Sequence, residues 1–301
     1  MNVAFLNRVL PKGFIQQLRV GKRILQVIRS DFSKNPPILV YSMPKSGTST
    51  IWTTLKGTTS QKVYKLHHLS DDGLKFIQQE NSLSKSKKLI DINVVASLIR
   101  KKIDRNPHIC WRVITSTREP IAQAISELFQ GIDTHRPFLM TDQGSVDVEK
   151  AMNFLTEKFT TFDESRNSYK SWFSLVWFDW ELKPLLDVDV YSSPYSHNKG
   201  YAIFESSKAK VLLIRVEDLN RSFQNALNDF LNANESFEMK QSNLSSRKEY
   251  REDQAFYKDY QYIKNNFKIS RDICEKIYST KYARHFYSED ERRQFIQRWS
   301  S

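Results

Sequence analysis

Short apolar runs bounded by turn residues alternate with stretches of helical periodicity along this chain. Ile38-Leu39-Val40-Tyr41 is a compact run of strand formers set between Asn35-Pro36-Pro37 and Met43-Pro44, and it predicts a buried parallel strand. Behind the loop Lys45-Ser46-Gly47, residues 48–56 predict a helix whose N-terminus faces that loop. Ile109-Cys110-Trp111-Arg112-Val113-Ile114 predicts a second strand, which leads through Thr115-Ser116-Thr117-Arg118-Glu119 into a helix opened by Pro120, the residue favoured at a first helical position. Val211-Leu212-Leu213-Ile214 predicts a third strand and Val63-Tyr64-Lys65-Leu66 a fourth. Strands alternating with helices imply an α/β fold with a doubly wound parallel sheet. From about residue 222 the pattern turns helical and includes Ser288-Glu289-Asp290-Glu291, with Ser and Glu at capping-box spacing.

The first 35 residues differ from the rest. They hold seven Lys/Arg against Asp31 alone, half of a net charge of +12 that arises from 46 basic and 34 acidic residues. Leu18, Ile24, Leu25, Val27 and Ile28 recur there at helical spacing beside Arg19, Lys22 and Arg23, so the segment reads as a basic amphipathic helix, either docked on its own domain or lying on a membrane surface. The expected organisation is this extension, residues 1–35, followed by one α/β domain, residues 36–301. No apolar run approaches the roughly 18 residues needed to cross a bilayer, and the cations interrupt any secretory signal. Only Cys110 and Cys274 occur, so a disulfide framework is not expected and a reducing, cytoplasmic setting fits best, with peripheral membrane contact through the basic segment as an option. The positive balance favours anionic partners; nothing resembles a zinc finger or an RNA-binding aromatic signature, so nucleic acid is not expected.

The first strand, loop and helix carry Pro44-Lys45-Ser46-Gly47-Thr48-Ser49-Thr50. Its physical logic is anion capture: Gly47 allows close backbone approach, free amides at the helix start point at the anion, and Lys45 with the hydroxyls of Ser46, Thr48 and Ser49 supplies charge and hydrogen bonds. The triphosphatase P-loop requires Gly-Lys-Ser/Thr, whereas here the lysine precedes the glycine by two positions, which disfavours an ordinary kinase. The second unit places Arg118 at the carboxyl end of its strand and Ser126 eight residues on. In open α/β sheets that end is the ligand-binding rim, so Arg118 and Lys45 are expected to share it. Taken singly, Arg118 reads equally well as a salt-bridging rim residue and Ser126 as a packed small helix residue, while the alternative reading of the loop is a hydroxyl-rich helix cap after a buried strand.

These motifs resemble the sulfotransferase superfamily, whose donor is 3′-phosphoadenosine-5′-phosphosulfate (PAPS). Pro44-Lys45-Ser46-Gly47-Thr48-Ser49 is similar to the family's phosphosulfate-binding loop, Arg118 with Ser126 to its 3′-phosphate pair, and Arg215-Val216-Glu217-Asp218-Leu219 to a third segment; the likeness spans roughly residues 37–220. More narrowly, Trp177-Phe178-Asp179 and Asp189-Val190-Tyr191 resemble a bacterial group of capsular polysaccharide synthesis proteins. The resemblance implies a P-loop-like donor loop and sulfuryl transfer from PAPS to a hydroxyl of a carbohydrate or polysaccharide. The alternatives are a variant P-loop kinase and a noncatalytic nucleotide-binding protein of surface polysaccharide assembly.

The family's late glycine-containing basic loop over the 3′-phosphate is missing in its usual form, since the last glycine is Gly200; Arg247-Lys248 offers charge there but reads more readily as a solvated basic turn. Lys45 is the expected leaving-group stabiliser. His67 is the first candidate for the base, because it follows a strand directed at the rim and imidazole titrates near neutrality; His68, Asp179 and Glu181 stay open. The histidines show no metal-ligand spacing, and no metal is expected. The aromatic run Trp172, Phe173, Trp177, Phe178, Trp180 reads as core packing more readily than as a sugar platform.

Overall fold

The structure, a computed structural model, describes residues 12–83, 87–130, 132, 136–161, 173–240 and 254–301. Arg247, Lys248 and Trp172 lie outside the described residues. In chain order the elements are α1 (Lys12–Arg29), β1 (Ile38–Tyr41), α2 (Thr48–Thr58), β2 (Val63–Leu66), α3 (Asp71–Leu83), α4 (Lys87–Asp104), β3 (Trp111–Thr117), α5 (Pro120–Leu128) and α6 (Val148–Thr160). After them come α7 (residues 173–186), β4 (Tyr201–Glu205), β5 (Ala209–Arg215), α8 (Leu219–Leu231), α9 (Gln254–Asn266), α10 (Arg271–Tyr278), α11 (Lys281–Phe286) and α12 (Glu289–Trp299). No helix among the described residues is long and apolar enough to cross a membrane.

The five strands form one sheet in the order β2-β1-β3-β5-β4. β2, β1, β3 and β5 are parallel, whereas β4 runs antiparallel to β5. The expectation of an all-parallel sheet is therefore corrected: the sheet is mixed, with an antiparallel edge. The cause is the tight turn after Glu205, where the Ser206 hydroxyl accepts the amides of Lys208 (3.1 Å) and Ala209 (3.0 Å). A connection that short permits only an antiparallel partner.

Alternation along the strands divides the core between two faces. Ile38 and Val40 of β1, Ile114 of β3 and Leu212 and Ile214 of β5 pack against Ile51 and Leu55 of α2 and Phe223 and Leu227 of α8. Leu39, Tyr41, Val113, Val211 and Leu213 face the other side, against Ile99 of α4, Ile121 and Ile125 of α5, and Trp177 and Phe178 of α7. Helices thus cover both faces, and all four residues of β1 are buried, as a central parallel strand requires. Trp177 packs edge-on against Tyr41, with centroids 4.8 Å apart, and Phe178 stacks on Tyr282 at 6.3 Å. These two members of the aromatic run are core. Within α7 the segment Phe178–Leu182 is a π-helical turn. The capping box expected at Ser288 and Glu291 opens α12.

Candidate functional site

β1 ends at Tyr41, and the chain turns through residues 42–47 into α2. Two residues of this loop have left-handed backbone, Lys45 (φ 62°) and Gly47 (φ 76°). Gly47 is required twice over: its φ disfavours a side chain, and a Cβ there would stand 3.1 Å from Leu219 and 3.2 Å from Val216. Gly47 is also the N-cap of α2 and provides no side-chain cap, so the first amides of that helix face the loop.

Three buried serines hold the turn. The Ser42 hydroxyl lies 2.9 Å from that of Ser46 and accepts the Ser116 amide at 3.0 Å, while the Ser116 hydroxyl donates to the Ser46 carbonyl at 2.5 Å. Ser46 itself donates to the Met43 carbonyl at 2.7 Å. Its hydroxyl therefore points into the loop scaffold, and Thr48 is buried as well. Ser49 and Thr50 are partly exposed, and Ser49 accepts from the Lys65 ammonium at 3.1 Å.

The chain leaves β1 for β2 on one side and reaches β3 on the other, so the reversal of strand order falls between β1 and β3. A crevice at the carboxyl ends of the strands is expected there, and both the loop and Arg118 occupy it. The Arg118 guanidinium donates to the Lys45 carbonyl at 2.9 Å, and Gln123 donates to the Pro44 carbonyl at 3.0 Å. Tyr282 of α11 fixes the backbone of Arg118, accepting its amide at 3.1 Å and donating to its carbonyl at 2.9 Å. Ser126 is half-buried two turns along α5.

The electrostatics of this crevice are unbalanced. Burial, then Arg118, then Lys65, pushes the Lys45 ammonium below its ordinary pKa. Among the described residues neither Lys45 nor Arg118 makes an ion pair. Acidic groups lie close by but are turned to structural work. Buried Glu119 caps α5 through the amides of Ile121 and Ala122, both at 2.7 Å, and accepts from Tyr278. Glu217 accepts the Glu119 amide at 2.8 Å; water reaches it, yet protein walls it in, and this partial desolvation pushes its carboxyl upward. Arg215, at the end of β5, is consumed by Asp218, Glu291 and the Phe286 carbonyl.

His67 and His68 follow β2 at the same rim. The Nδ1 of His67 is 2.6 Å from the Ser42 carbonyl; a carbonyl only accepts, so Nδ1 carries the proton and Nε2 the lone pair. Burial lowers its pKa to about 4, leaving the ring neutral at physiological pH. His68 Nδ1 lies 3.2 Å from Glu181, whose carboxylate also accepts the amides of Leu69 and Ser70, each at 2.9 Å, and the Tyr41 hydroxyl. The Glu181 carboxylate is thus wholly engaged in holding the segment after β2. Asp179 pairs with Lys281 at 3.2 Å. The fold accordingly brings the loop, Arg118, His67 and His68 to one rim. Sequence reasoning missed Ser42, Ser116, Lys65, Gln123 and Tyr282; only Ser42 had a local signal, its place beside the loop.

Residues 143–288 match the model of a family described as "Putative capsular polysaccharide synthesis protein". No curated protein and no solved structure matches the chain. The matched segment begins ahead of α6 and ends after α11, so it includes Glu181, Arg215, Glu217 and Tyr282, while the loop, the histidines and Arg118 precede it. Through residues 143–288 the chain is similar to a family whose description concerns the synthesis of capsular polysaccharide.

Proposed function

We propose that the protein transfers a sulfuryl group from PAPS to a hydroxyl of a carbohydrate or polysaccharide acceptor, with a sulfotransferase-like fold around a P-loop-like donor loop. One observation carries this reading: Lys45, partly desolvated and facing Arg118 and Lys65, has no ion-pair partner among the described residues, in a left-handed loop at the reversal of strand order. A partly desolvated ammonium without an ion-pair partner among the described residues calls for an anionic ligand, and the α2 amides point the same way. The family description for residues 143–288 supports a carbohydrate acceptor.

In this reading the amides of residues 47–50 and Lys45 hold the 5′-phosphosulfate, and Arg118 and Ser126 hold the 3′-phosphate. The acceptor oxygen forms a bond to sulfur as the sulfur–oxygen bond to the 5′-phosphate breaks. The acceptor proton passes to Nε2 of His67, and adenosine 3′,5′-bisphosphate leaves. Lys45 offsets the charge that accumulates on the leaving oxygen. The Ser42 carbonyl orients His67 by holding Nδ1–H, and a polyanionic donor nearby raises its basicity. His68 is held toward Glu181 and serves as a positioning residue.

The test is thermal denaturation with adenosine 3′,5′-bisphosphate in the absence of added metal. A ligand at 100 times its dissociation constant adds about 2.7 kcal/mol to the unfolding free energy. Stabilisation by ATP with magnesium and none by the bisphosphate favours a kinase instead. Tight bisphosphate binding without transfer to any sugar acceptor favours a noncatalytic binding protein.

A further inference from the structure

Few large hydrophobic side chains are exposed among the described residues, and two of them share one helix: Leu25 (49% exposed) and Ile28 (52%) of α1. Three positions apart, they lie on one face. Val27, on the far side of the same turn, is buried in the core, which fixes the rotation of the helix and keeps the aliphatic pair outward. Lys22 and Arg29 fall on that outward face, three residues before and four after Leu25, and both are exposed. The neighbouring α4 carries exposed Val94 (38%) and Lys101, and Arg105, just past its end, is exposed as well. Lys102 ties the two helices by donating to the carbonyls of Ile28 (3.2 Å) and Ser30 (2.8 Å). Among the described residues none of Lys22, Arg23, Arg29, Lys101 and Arg105 is in an ion pair.

We propose that this face docks the protein on an anionic lipid surface. The unpaired cations select a negatively charged occupant. A protein partner is less suited, because a specific interface buries about 800 Å² per side, far more than three aliphatic side chains provide. A lipid interface needs only shallow insertion of a few aliphatic groups, with lysine and arginine reaching back to the headgroups. The helix is held against α4 by Val27 and Lys102, so its outward face is already organised before contact. This inference is independent of the donor site, which lies at the carboxyl ends of the strands.

The experiment is co-sedimentation of the full chain with vesicles of phosphatidylcholine mixed with phosphatidylglycerol, compared with phosphatidylcholine alone, at low and at high salt. Binding is expected only to the anionic vesicles and is expected to fall with salt. Lys22→Gln with Arg29→Gln should weaken it roughly 25-fold, about fivefold per cation. Leu25→Ser with Ile28→Ser should also weaken it, and both pairs should leave the melting temperature unchanged because all four side chains are exposed. The proposal is overturned by undiminished binding of either pair or by equal binding to neutral vesicles. It is equally overturned if vesicle binding is absent and Leu25→Ser with Ile28→Ser alters the oligomeric state by light scattering, which assigns the face to a second copy.

Discussion

Lys45 and Arg118 meet through one hydrogen bond, but their chemistry divides their roles. Arg118 presents a fork suited to phosphate, so Arg118→Ala should weaken bisphosphate binding about 10- to 100-fold with a smaller effect on turnover. Lys45 matters most where charge accumulates, so Lys45→Ala should reduce turnover ~10²- to 10³-fold with a lesser loss of binding. Isothermal titration and single-turnover kinetics separate the two, and equal binding losses with unchanged turnover refute the division. His67 makes a second prediction. Its folded-state pKa, about 4, lies below its ordinary 6.5 because desolvation of the partly buried ring disfavours the charged form. Between those values the unfolded chain binds the extra proton, so this group's contribution is present above pH 6.5 and is lost as pH falls toward 4, on the order of 3 kcal/mol in all. His67→Gln should flatten that part of the stability profile, measured by urea denaturation at successive pH values. The same variant should lower turnover ~10²-fold or more if the ring is the base.

At the scale of elements, the rim is assembled by pieces that lend each other hydrogen bonds. The π-helical turn of α7 places Glu181 beneath the segment after β2, where one carboxylate satisfies two amides, a tyrosine hydroxyl and His68. Glu181→Ala would leave those buried donors without an acceptor and should cost about 3 kcal/mol or more. It should also release His68, whereas Asp179→Ala, on a partly exposed ion pair, should change stability by less than about 1 kcal/mol. Comparing the two variants by denaturant unfolding tests whether the carboxylate at 181 is architectural. The turn into α2 has its own requirement: Gly47→Ala should destabilise by about 1–2 kcal/mol, since φ is positive, and should abolish the bisphosphate-induced thermal shift.

Across the whole molecule, the C-terminal helices close on the sheet's rim. Tyr282 of α11 bonds Thr117 and both backbone groups of Arg118, and Tyr278 of α10 reaches Glu119. Arg215 joins β5 to Glu291 of α12. The Arg118 side of the crevice is therefore set by residues more than 150 positions from Arg118. Tyr282→Phe should cost about 1–3 kcal/mol by stranding the Arg118 amide, and should weaken bisphosphate binding although residue 282 bears no charge. Unchanged binding in Tyr282→Phe, followed by titration calorimetry, means that α11 serves stability alone.

Local signals suffice for the strand at residues 38–41, the helix behind it, the strand at residues 63–66, the helix opened by Pro120 and the capping box at Ser288. Each rests on a signal within a few residues: an unbroken apolar run, a proline at a first helical position, a serine three before a glutamate. The loop chemistry was legible for the same reason, because Lys45, Gly47 and the hydroxyls are consecutive. The four strands expected from the sequence do not include Tyr201–Glu205, whose antiparallel edge position depends on the turn that Ser206 closes. Long-range packing is what turns Ser46 inward, sets Glu181 under the backbone after β2 and lets Tyr282 position Arg118. Those contacts join residues from 70 to 165 positions apart, and nothing in local propensity encodes a separation of that length. They exist because alternating strand faces and buried helices bring distant side chains to one rim, where each buried polar atom must find a partner.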